Sequence, residues 1–517
     1  MGMIVMSTIL RWHSGRLAAG AALFGGLAAL ALPPLHVVPL LWLAVPGLLV
    51  LLGAQRPGWG AFKVGFWFGF GHHALGLYWI TEAILIESAR YWWLVPLAVP
   101  ALAAIMAVFI ATACTIARWF PAGWPRIVAL VGTWGLTELA RQFVATGFPW
   151  NPWGSVWAVP GAVGDVMLQP AAWVGVHGLT LLTVALATTP LLGRRAVVGG
   201  FAVLALWAGL GGWRLRQEVP AMPGLTVVLV QGTVPQGQKW DRGLMAAIFD
   251  RYLVLTRGAL ADTVGRAVVI WPETASPYLL DRDPAARAMI AEASRRSDGV
   301  VVPGLIGTVR FDAERRPLNS LVALVGAGSP IAIYDKSHLV PFGEYQPRWI
   351  PLPLEFGPGG FVPGPGPRTL RVPGLPAFSP LICYEVIFPG SVVDEADRPQ
   401  WMVTVTNDAW FGNSAGPRQH LAAARMRAVE EGLPIMRAAN TGISGGYDAF
   451  GRELGRIGMG VTGTLSIGLP GALPTTVFGR FGLSVPAGLS LALLVVGVWG
   501  ARASWSLVSR DRHPCVS

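Results

Sequence analysis

Ser379-Pro380-Leu381-Ile382-Cys383-Tyr384-Glu385-Val386-Ile387-Phe388-Pro389 is an apolar run interrupted by Cys-Tyr-Glu. It reads as a buried strand that delivers a cysteine onto a sharp turn, with the sheet behind holding the thiol rigidly. Only a thiolate is a good nucleophile, so a reactive cysteine needs a base or a cation close by. Two other stretches offer those groups. Val268-Val269-Ile270-Trp271-Pro272-Glu273 ends an apolar strand in a carboxylate, and Ile331-Ala332-Ile333-Tyr334-Asp335-Lys336 ends another in a lysine. Taken singly, each is compatible with a plain structural part: a cysteine as a small buried hydrophobe, a Glu or Lys as a solvated loop residue. The three together, each closing an apolar run, define a candidate catalytic set.

Composition places this set in an unusual protein. The chain has 517 residues, of which 53% are hydrophobic and only 13% charged, about half the charge of an average soluble domain. Its mean hydropathy is +0.52. This is the composition of a membrane protein with something attached. Its three cysteines, Cys114, Cys383 and Cys515, imply no disulfide framework. The net charge of +11 is uneven: residues 221–475 carry 23 Lys+Arg against 22 Asp+Glu, while residues 1–220 carry 12 against 5. An excess confined to the apolar parts marks positive loops beside membrane spans, so no nucleic-acid partner is implied.

Seven apolar stretches, at about 16–34, 36–53, 59–81, 91–117, 125–145, 167–191 and 195–213, precede the polar region, and an eighth at about 479–501 follows it. Each approaches the ~20 residues needed to cross a bilayer. With a cytoplasmic N-terminus, the inside loops hold Arg11/Arg16, Arg56/Lys63, Arg118/Arg126, Arg194/Arg195 and Arg502/Arg510/Arg512, and the outside loops hold chiefly Arg90 with Glu82 and Glu87. That asymmetry puts the region after Arg214 on the periplasmic side of a bacterial inner membrane, with both termini cytoplasmic. Tyr78, Trp79, Tyr91, Trp92, Trp93, Trp150, Trp153 and Trp157 sit at span ends, as an aromatic belt would. Glu138 and Arg141, three apart on one helix face, read as an intrahelical ion pair or as functional intramembrane charges. The segment Thr146 to Gly154 reads as a rigid aromatic loop at headgroup level.

The expected domains are therefore a membrane part (1–218), a catalytic part (219–475), and a last span with its tail (476–517). Within the catalytic part, strands alternate with helices: Leu225–Gln231, a helix over 242–260, Val268–Glu273, a helix capped by Asp283 with Pro284 at its first position, Val300–Gly307, Ser320–Val325, Ile331–Tyr334, Ala377–Ile382, Trp401–Thr406 and a helix Pro417–Glu431 closed by Gly432. That alternation argues for an α/β domain. Between Lys336 and Cys383, residues 345–367 are rich in Pro and Gly yet carry Trp349, Ile350, Leu352, Leu354, Phe356, Phe361 and Val362. An apolar loop of this kind reads as a mobile arm over a lipid-facing cavity, or else as a loop packed on its own domain.

The chemistry of the set follows from its residue types. Glu273 is the natural general base, and Lys336 a fixed positive charge for an oxyanion. The backbone N–H after Cys383 offers a second donor. Glu344 is placed to orient Lys336 or relay a proton, Glu385 to shape the turn, and Tyr384 and Trp240 to line an acyl pocket. His338 and His420 read as structural hydrogen-bonders. No Cys/His group has metal spacing and no glycine-rich phosphate loop follows a strand, so neither metal nor cofactor is expected.

The order Glu, Lys, Cys with the words Trp271-Pro272-Glu273, Lys336 through Tyr345 and Cys383-Tyr384-Glu385 resembles the nitrilase superfamily, which implies a four-layer αββα sandwich. Together with Gly147-Phe148-Pro149-Trp150, Gln231-Gly232, Gln236 through Trp240, Thr406 through Phe411 and the surrounding spans, the chain resembles the apolipoprotein N-acyltransferase family. The resemblance implies a polytopic bundle of about eight spans carrying an extracytoplasmic nitrilase-like domain. It also implies a two-step reaction. Cys383 takes the sn-1 acyl chain of a phospholipid, with phosphatidylethanolamine the expected donor, and passes it to the α-amine of a diacylglyceryl-cysteine apolipoprotein. A tethered amidase acting on a small amide would not need so many spans, and a non-catalytic lipoprotein-binding scaffold would have no use for the thiol.

Overall fold

The computed structural model describes residues 14–86, 88–220, 224–347 and 360–510, with side chains described as far as 503. The backbone divides into two compact units, one of residues 1–81, 93–214 and 481–517, the other of 82–92 and 215–480.

The first unit is helical. Helices α1 (Ser14–Ala29), α2 (Leu41–Gly53), α3 (Trp59–Gly76), α4 (Val95–Arg118), α5 (Trp124–Ala140), α6 (Ala171–Thr188) and α7 (Arg194–Arg214), with a last helix Ser484–Arg510, fall on the eight apolar stretches. Four described helical segments, Ser88–Arg118, Ala171–Leu192, Arg194–Arg214 and Ser484–Ala503, are long and apolar enough to cross a membrane. The remaining four helices run 13 to 18 residues. Small residues set the packing, since helices in lipid associate by close backbone approach. A Cβ at Gly25 would collide with the Phe68 carbonyl, and one at Gly65 would meet Cys114 Cβ at 2.8 Å. Cys114 is thus a packing residue, fully buried at the α3–α4 contact.

Glu138 and Arg141 do not pair with each other among the described contacts. Glu138 accepts from Thr180 Oγ1 (2.6 Å) and from the backbone N–H of Trp153 (3.0 Å), and lies 2.9 Å from His177 Nδ1. Arg141 donates to the carbonyls of Trp150 and Phe148. Both charges therefore hold the aromatic loop, which turns inward. Trp150 and Trp153 are buried, with Trp153 4.7 Å from the Trp134 ring. The belt reading needs the same correction. Tyr78, Trp92 and Trp93 are exposed, but Trp79, Tyr91, Trp150, Trp153 and Trp157 are buried. A peptide loop placed among helices must satisfy its own polar groups, and Glu138 and Arg141 do that here.

The second unit is built on two sheets. One has the order β11-β1-β2-β3-β4-β5, with β1 Leu225–Gln231, β2 Arg266–Ser276, β3 Gly304–Phe311, β4 Pro317–Leu324, β5 Ala332–Asp335 and β11 Gly463–Gly468. The other has the order β10-β9-β8-β7-β6, with β6 Phe378–Ile382, β7 Trp401–Thr406, β8 Ile435–Ala439, β9 Ser444–Tyr447 and β10 Glu453–Ile457. Strands alternate their faces, and both faces of the central strands are apolar. Val227, Leu229, Val268 and Ile270 meet Ile382, Val403, Val405 and Met436 between the sheets. Val228, Val230, Val269 and Trp271 face outward onto α8 (Met245–Leu260) and α9 (Pro284–Ala293). On the far side α10 (Gly416–Glu431) lies against β8. The result is the expected α-β-β-α layering. As expected, Asp283 caps α9, accepting from the Ala286 N–H at 2.9 Å, and Gly432 takes the left-handed conformation that closes α10.

Four strands, β8 to β11, lie where no strand was expected. They read poorly because Arg437, Gly445, Gly446, Gly455 and Arg456 interrupt any apolar pattern, and their place comes from pairing with strands already laid down.

One irregularity matters for function. β2 pairs with β3 in register through Trp271↔Ile306, then slips, resuming only at Ser276↔Thr308. The bulge contains Pro272, Glu273 and Thr274, the last at φ +46°. Gly307 lies opposite, where a Cβ would fall on the Pro272 carbonyl and within 2.7 Å of Glu273 Cα. Gly307→Ala should therefore push Glu273 out of place. The thiol chemistry expected of Glu273 and Cys383 should slow by more than tenfold while the protein still unfolds as a compact unit in a thermal scan. Unchanged activity in Gly307→Ala would show that the bulge tolerates the methyl group.

Candidate active site

Three strand ends bring the candidate residues together. Glu273 projects from the β2 bulge, Lys336 follows β5, and Cys383 follows β6. Cys383 itself has φ +51°, a left-handed conformation that a residue with a Cβ adopts only under constraint. A short 3-10 turn, Cys383–Ile387, carries the chain away.

The constraint on that turn is Glu385. One of its carboxylate oxygens accepts from Tyr334 Oη, Ser337 N and Ser337 Oγ, each at 2.7 Å, while the other accepts from Ile382 N at 2.7 Å. A single carboxylate thus ties the strand before Cys383 to the loop after Lys336.

Lys336 is 1% exposed, and its ammonium is 2.9 Å from Glu344 and 3.5 Å from Glu273 Oε1. Burial works against its charge, but Glu344 and then Glu273 outweigh that and hold its pKa above the ordinary lysine value. Asn319 Nδ2 donates to Glu273 Oε1 (2.6 Å) and to Glu344 Oε1 (2.9 Å), so the two carboxylates share a neutral donor as well as the lysine. Glu273 Oε2 accepts from the Asn407 N–H at 2.8 Å, and Glu344 Oε2 from the Val340 N–H at 2.8 Å.

Cys383 is buried, and burial, reinforced by the Glu273 carboxylate, pushes its thiol up to about 12; Lys336 and a hydrogen bond with Thr406 act the other way. The resting sulfur is therefore a neutral thiol at physiological pH. A base must take its proton during attack, and of the two carboxylates that act on it Glu273 acts more strongly than Asp408.

A second lysine completes the charge balance. Lys239 Nζ donates to the backbone carbonyl of Glu273 at 2.9 Å and is 4% exposed. Burial pushes its pKa down to about 8, with Glu273 and then Cys383 partly offsetting this. Sequence reading passed over it in favour of its neighbour Trp240, which is 44% exposed. The signal lay in the spacing of Gln236 to Trp240, which turns one of two adjacent side chains inward without saying which. Asn319 and the Asn407 N–H were missed as well, because an amide inside an apolar strand and a backbone donor leave no mark in sequence.

Tyr384 is buried, its ring 5.2 Å from that of Phe388, on which His338 stacks at 4.2 Å. Of the 345–367 loop, Trp349, Ile350, Leu352, Leu354 and Phe356 lie outside the described residues. Phe361 packs with Val309 and Leu339 on its own domain, and the chain beyond is pinned by Gly364 N donating to the Lys336 carbonyl at 2.7 Å. Among the described residues no group of three or more His, Cys, Asp or Glu side chains is placed to hold a metal ion.

A buried cysteine flanked by glutamate and lysine between two sheets defines a thiol-dependent enzyme of the nitrilase kind, and residues 229–456 match the carbon-nitrogen hydrolase family. Residues 24–189 match the apolipoprotein N-acyltransferase N-terminal domain. The chain is 37% identical over 525 residues to the apolipoprotein N-acyltransferase of Rhodopseudomonas palustris, covering 95% of this chain and 96% of that one. It is 39% identical over 458 residues to that of Allorhizobium ampelinum (83% and 85% covered) and 37% over 533 residues to that of Brucella suis (96% and 97%). The chain belongs to the apolipoprotein N-acyltransferase family.

The Lys239 geometry carries a prediction about both stability and rate. The folded state holds this amine at about 8, and an unfolded lysine titrates near 10.4. The unfolded chain therefore binds more protons between those values, and this residue makes stability rise with pH across that window. Below pH 8 the buried charge costs roughly 3 kcal/mol. Lys239→Met should abolish this rise of stability with pH between about 8 and 10.4 and slow acylation of Cys383. A variant that keeps the rise, or that acylates at the normal rate, would contradict the assignment.

Proposed function

We propose that the protein transfers an acyl chain from the sn-1 position of a phospholipid, phosphatidylethanolamine being the expected donor, to the N-terminal amine of a diacylglyceryl-cysteine lipoprotein. The observation that carries this reading is the pairing of a neutral buried thiol with a carboxylate anchored in a strand bulge, within a chain of this family.

The steps follow from the charges. Glu273 takes the Cys383 proton as sulfur attacks the ester carbonyl. The oxyanion forms near the Lys336 ammonium and the Tyr384 backbone N–H. When it collapses, the carbon–sulfur bond is kept, the ester C–O bond breaks, and the departing lysophospholipid oxygen takes the proton back from Glu273. In the second step the lipoprotein amine gives a proton to Glu273 and attacks the thioester, and the sulfur leaves and is reprotonated. Glu344 keeps Lys336 in place, and Tyr384 lines the acyl path. The acyl group ends as an amide because an amine, in place of water, takes it from the thioester.

All eight apolar helices are proposed to cross an inner membrane, with the catalytic unit periplasmic and both termini cytoplasmic. The Lys/Arg bias of the loops supports this orientation, as does the satisfaction of buried polar groups in the helical unit. Cysteine labelling at Arg194 and at an exposed position of the catalytic unit, from either side of a sealed vesicle, tests it.

Incubation with phosphatidylethanolamine vesicles should add one acyl mass to the intact protein, located on Cys383. Cys383→Ser should carry no thioester, and Glu273→Gln should slow its formation by at least 10³-fold. Lys336→Ala should slow it by about 10²–10³-fold, the loss seen when an oxyanion donor is removed. Cys114→Ala should acylate normally. An acyl group on Cys383→Ser at the normal rate would overturn the mechanism.

A further inference from the structure

Behind the nucleophile, on the α10 side of the second sheet, three fully buried charged or ionisable groups meet the backbone of Cys383 and are unused by the chemistry above. They are Asp408 after β7, His420 on α10 and Arg437 in β8. His420 Nε2 lies 3.0 Å from the Cys383 carbonyl oxygen. Its Nδ1 lies 3.0 Å from Asp408 Oδ1 and 3.2 Å from Arg437 Nη2. Arg437 Nη2 in turn donates to Asp408 Oδ2 at 2.6 Å, and Thr406 Oγ1 donates to Asp408 Oδ1 at 3.1 Å.

A carbonyl can only accept, so Nε2 carries a proton. What faces Nδ1 makes that proton permanent. In the neutral ring Nδ1 accepts from Arg437, and in the charged ring it donates to Asp408. Either way Nε2 keeps its hydrogen and the bond to Cys383 persists. Burial, and then Arg437, lower the basicity of His420 against the pull of Asp408.

The anchored group is the carbonyl of a strained residue. Cys383 sits at φ +51°, a conformation that a residue with a Cβ keeps only where its surroundings impose it. Glu385 fixes the Leu381–Ile382 peptide, one residue earlier, through Ile382 N, and His420 fixes the peptide after Cys383. A trans peptide is planar, with its C=O and N–H pointing opposite ways. Holding the Cys383 oxygen against α10 therefore aims the Tyr384 N–H away from α10. That N–H is the backbone oxyanion donor of the reaction proposed above.

We propose that His420, set by Asp408 and Arg437, is a positioning residue for acylation. It locks the Cys383–Tyr384 peptide so that the N–H is already aimed when the tetrahedral oxyanion forms. The proposal rests on Cys383 being the nucleophile, and the test separates the two.

In the full-length protein in detergent micelles, two rates are measured for each variant. One is alkylation of Cys383 by iodoacetamide, which forms no oxyanion. The other is acylation of Cys383 by phosphatidylethanolamine, read by intact mass. His420→Leu should lose about 10²-fold in acylation, the scale of a lost oxyanion donor, with alkylation little changed. His420→Gln keeps an N–H for the carbonyl and should recover most of the loss. Should His420→Leu fail to fold, Asp408→Asn, which loosens the ring while keeping its shape, should show the same split to a smaller degree. Normal acylation in the leucine variant would overturn the proposal. So would a parallel fall of both rates, or a glutamine variant no better than leucine. Transfer activity in Cys383→Ala would instead remove the nucleophile reading itself.

Discussion

The Lys336 ammonium, 1% exposed, is held by Glu344 and Glu273. A cation taken out of water costs several kcal/mol, recovered only when its partners are close and themselves well bonded. Each carboxylate meets that condition: Asn319 spans both, and backbone N–H groups of Asn407 and Val340 take the remaining oxygens. The order of strand ends in the first sheet serves this arrangement. Remove one charge and another is left buried without a counterpart. With Lys239 counted, two cations stand against two anions, and the thiol between them stays neutral.

That balance decides the chemistry. A thiolate formed in advance would be attractive to solvent and to any electrophile. A thiol raised to about 12 stays neutral until a base takes its proton, the part proposed above for Glu273. The site's precision comes from backbone geometry: a bulge in β2 made possible by Gly307, and a left-handed Cys383 held from both sides by Glu385 and His420. Thr274 and Cys383 both take left-handed backbone conformations, and polar groups hold the chain around Cys383 in place.

The helical unit uses the same device for a different end. Glu138 and Arg141 take up the N–H and carbonyl groups of the 148–153 loop, so irregular backbone can sit among packed helices. Buried charges are expensive unless fully paired. Here they carry a loop whose tryptophans fill the interior, taking up the Trp153 N–H and the Phe148 and Trp150 carbonyls that the loop exposes by not being helical.

From sequence alone, the reactive set was legible because its members close apolar runs: Glu273, Lys336 and Cys383 each mark the point where a buried strand meets the edge of the sheet. The eight apolar stretches were legible for the same reason, since burial writes itself as runs of apolar residues. Glu344 and Glu385 were found through their distance from these anchors. What tertiary structure alone decided is which polar side chains turn inward. Lys239 rather than Trp240 enters the site, Asn319 bridges two carboxylates across strands, and His420 reaches from a helix to the carbonyl of a residue 37 positions earlier. The aromatic loop read as a surface feature and lies inside, because only the packed helices supply Glu138 and Arg141 as its partners. Apolar burial is recorded locally, residue by residue. Hydrogen-bond complementarity between distant segments exists only once they are folded together.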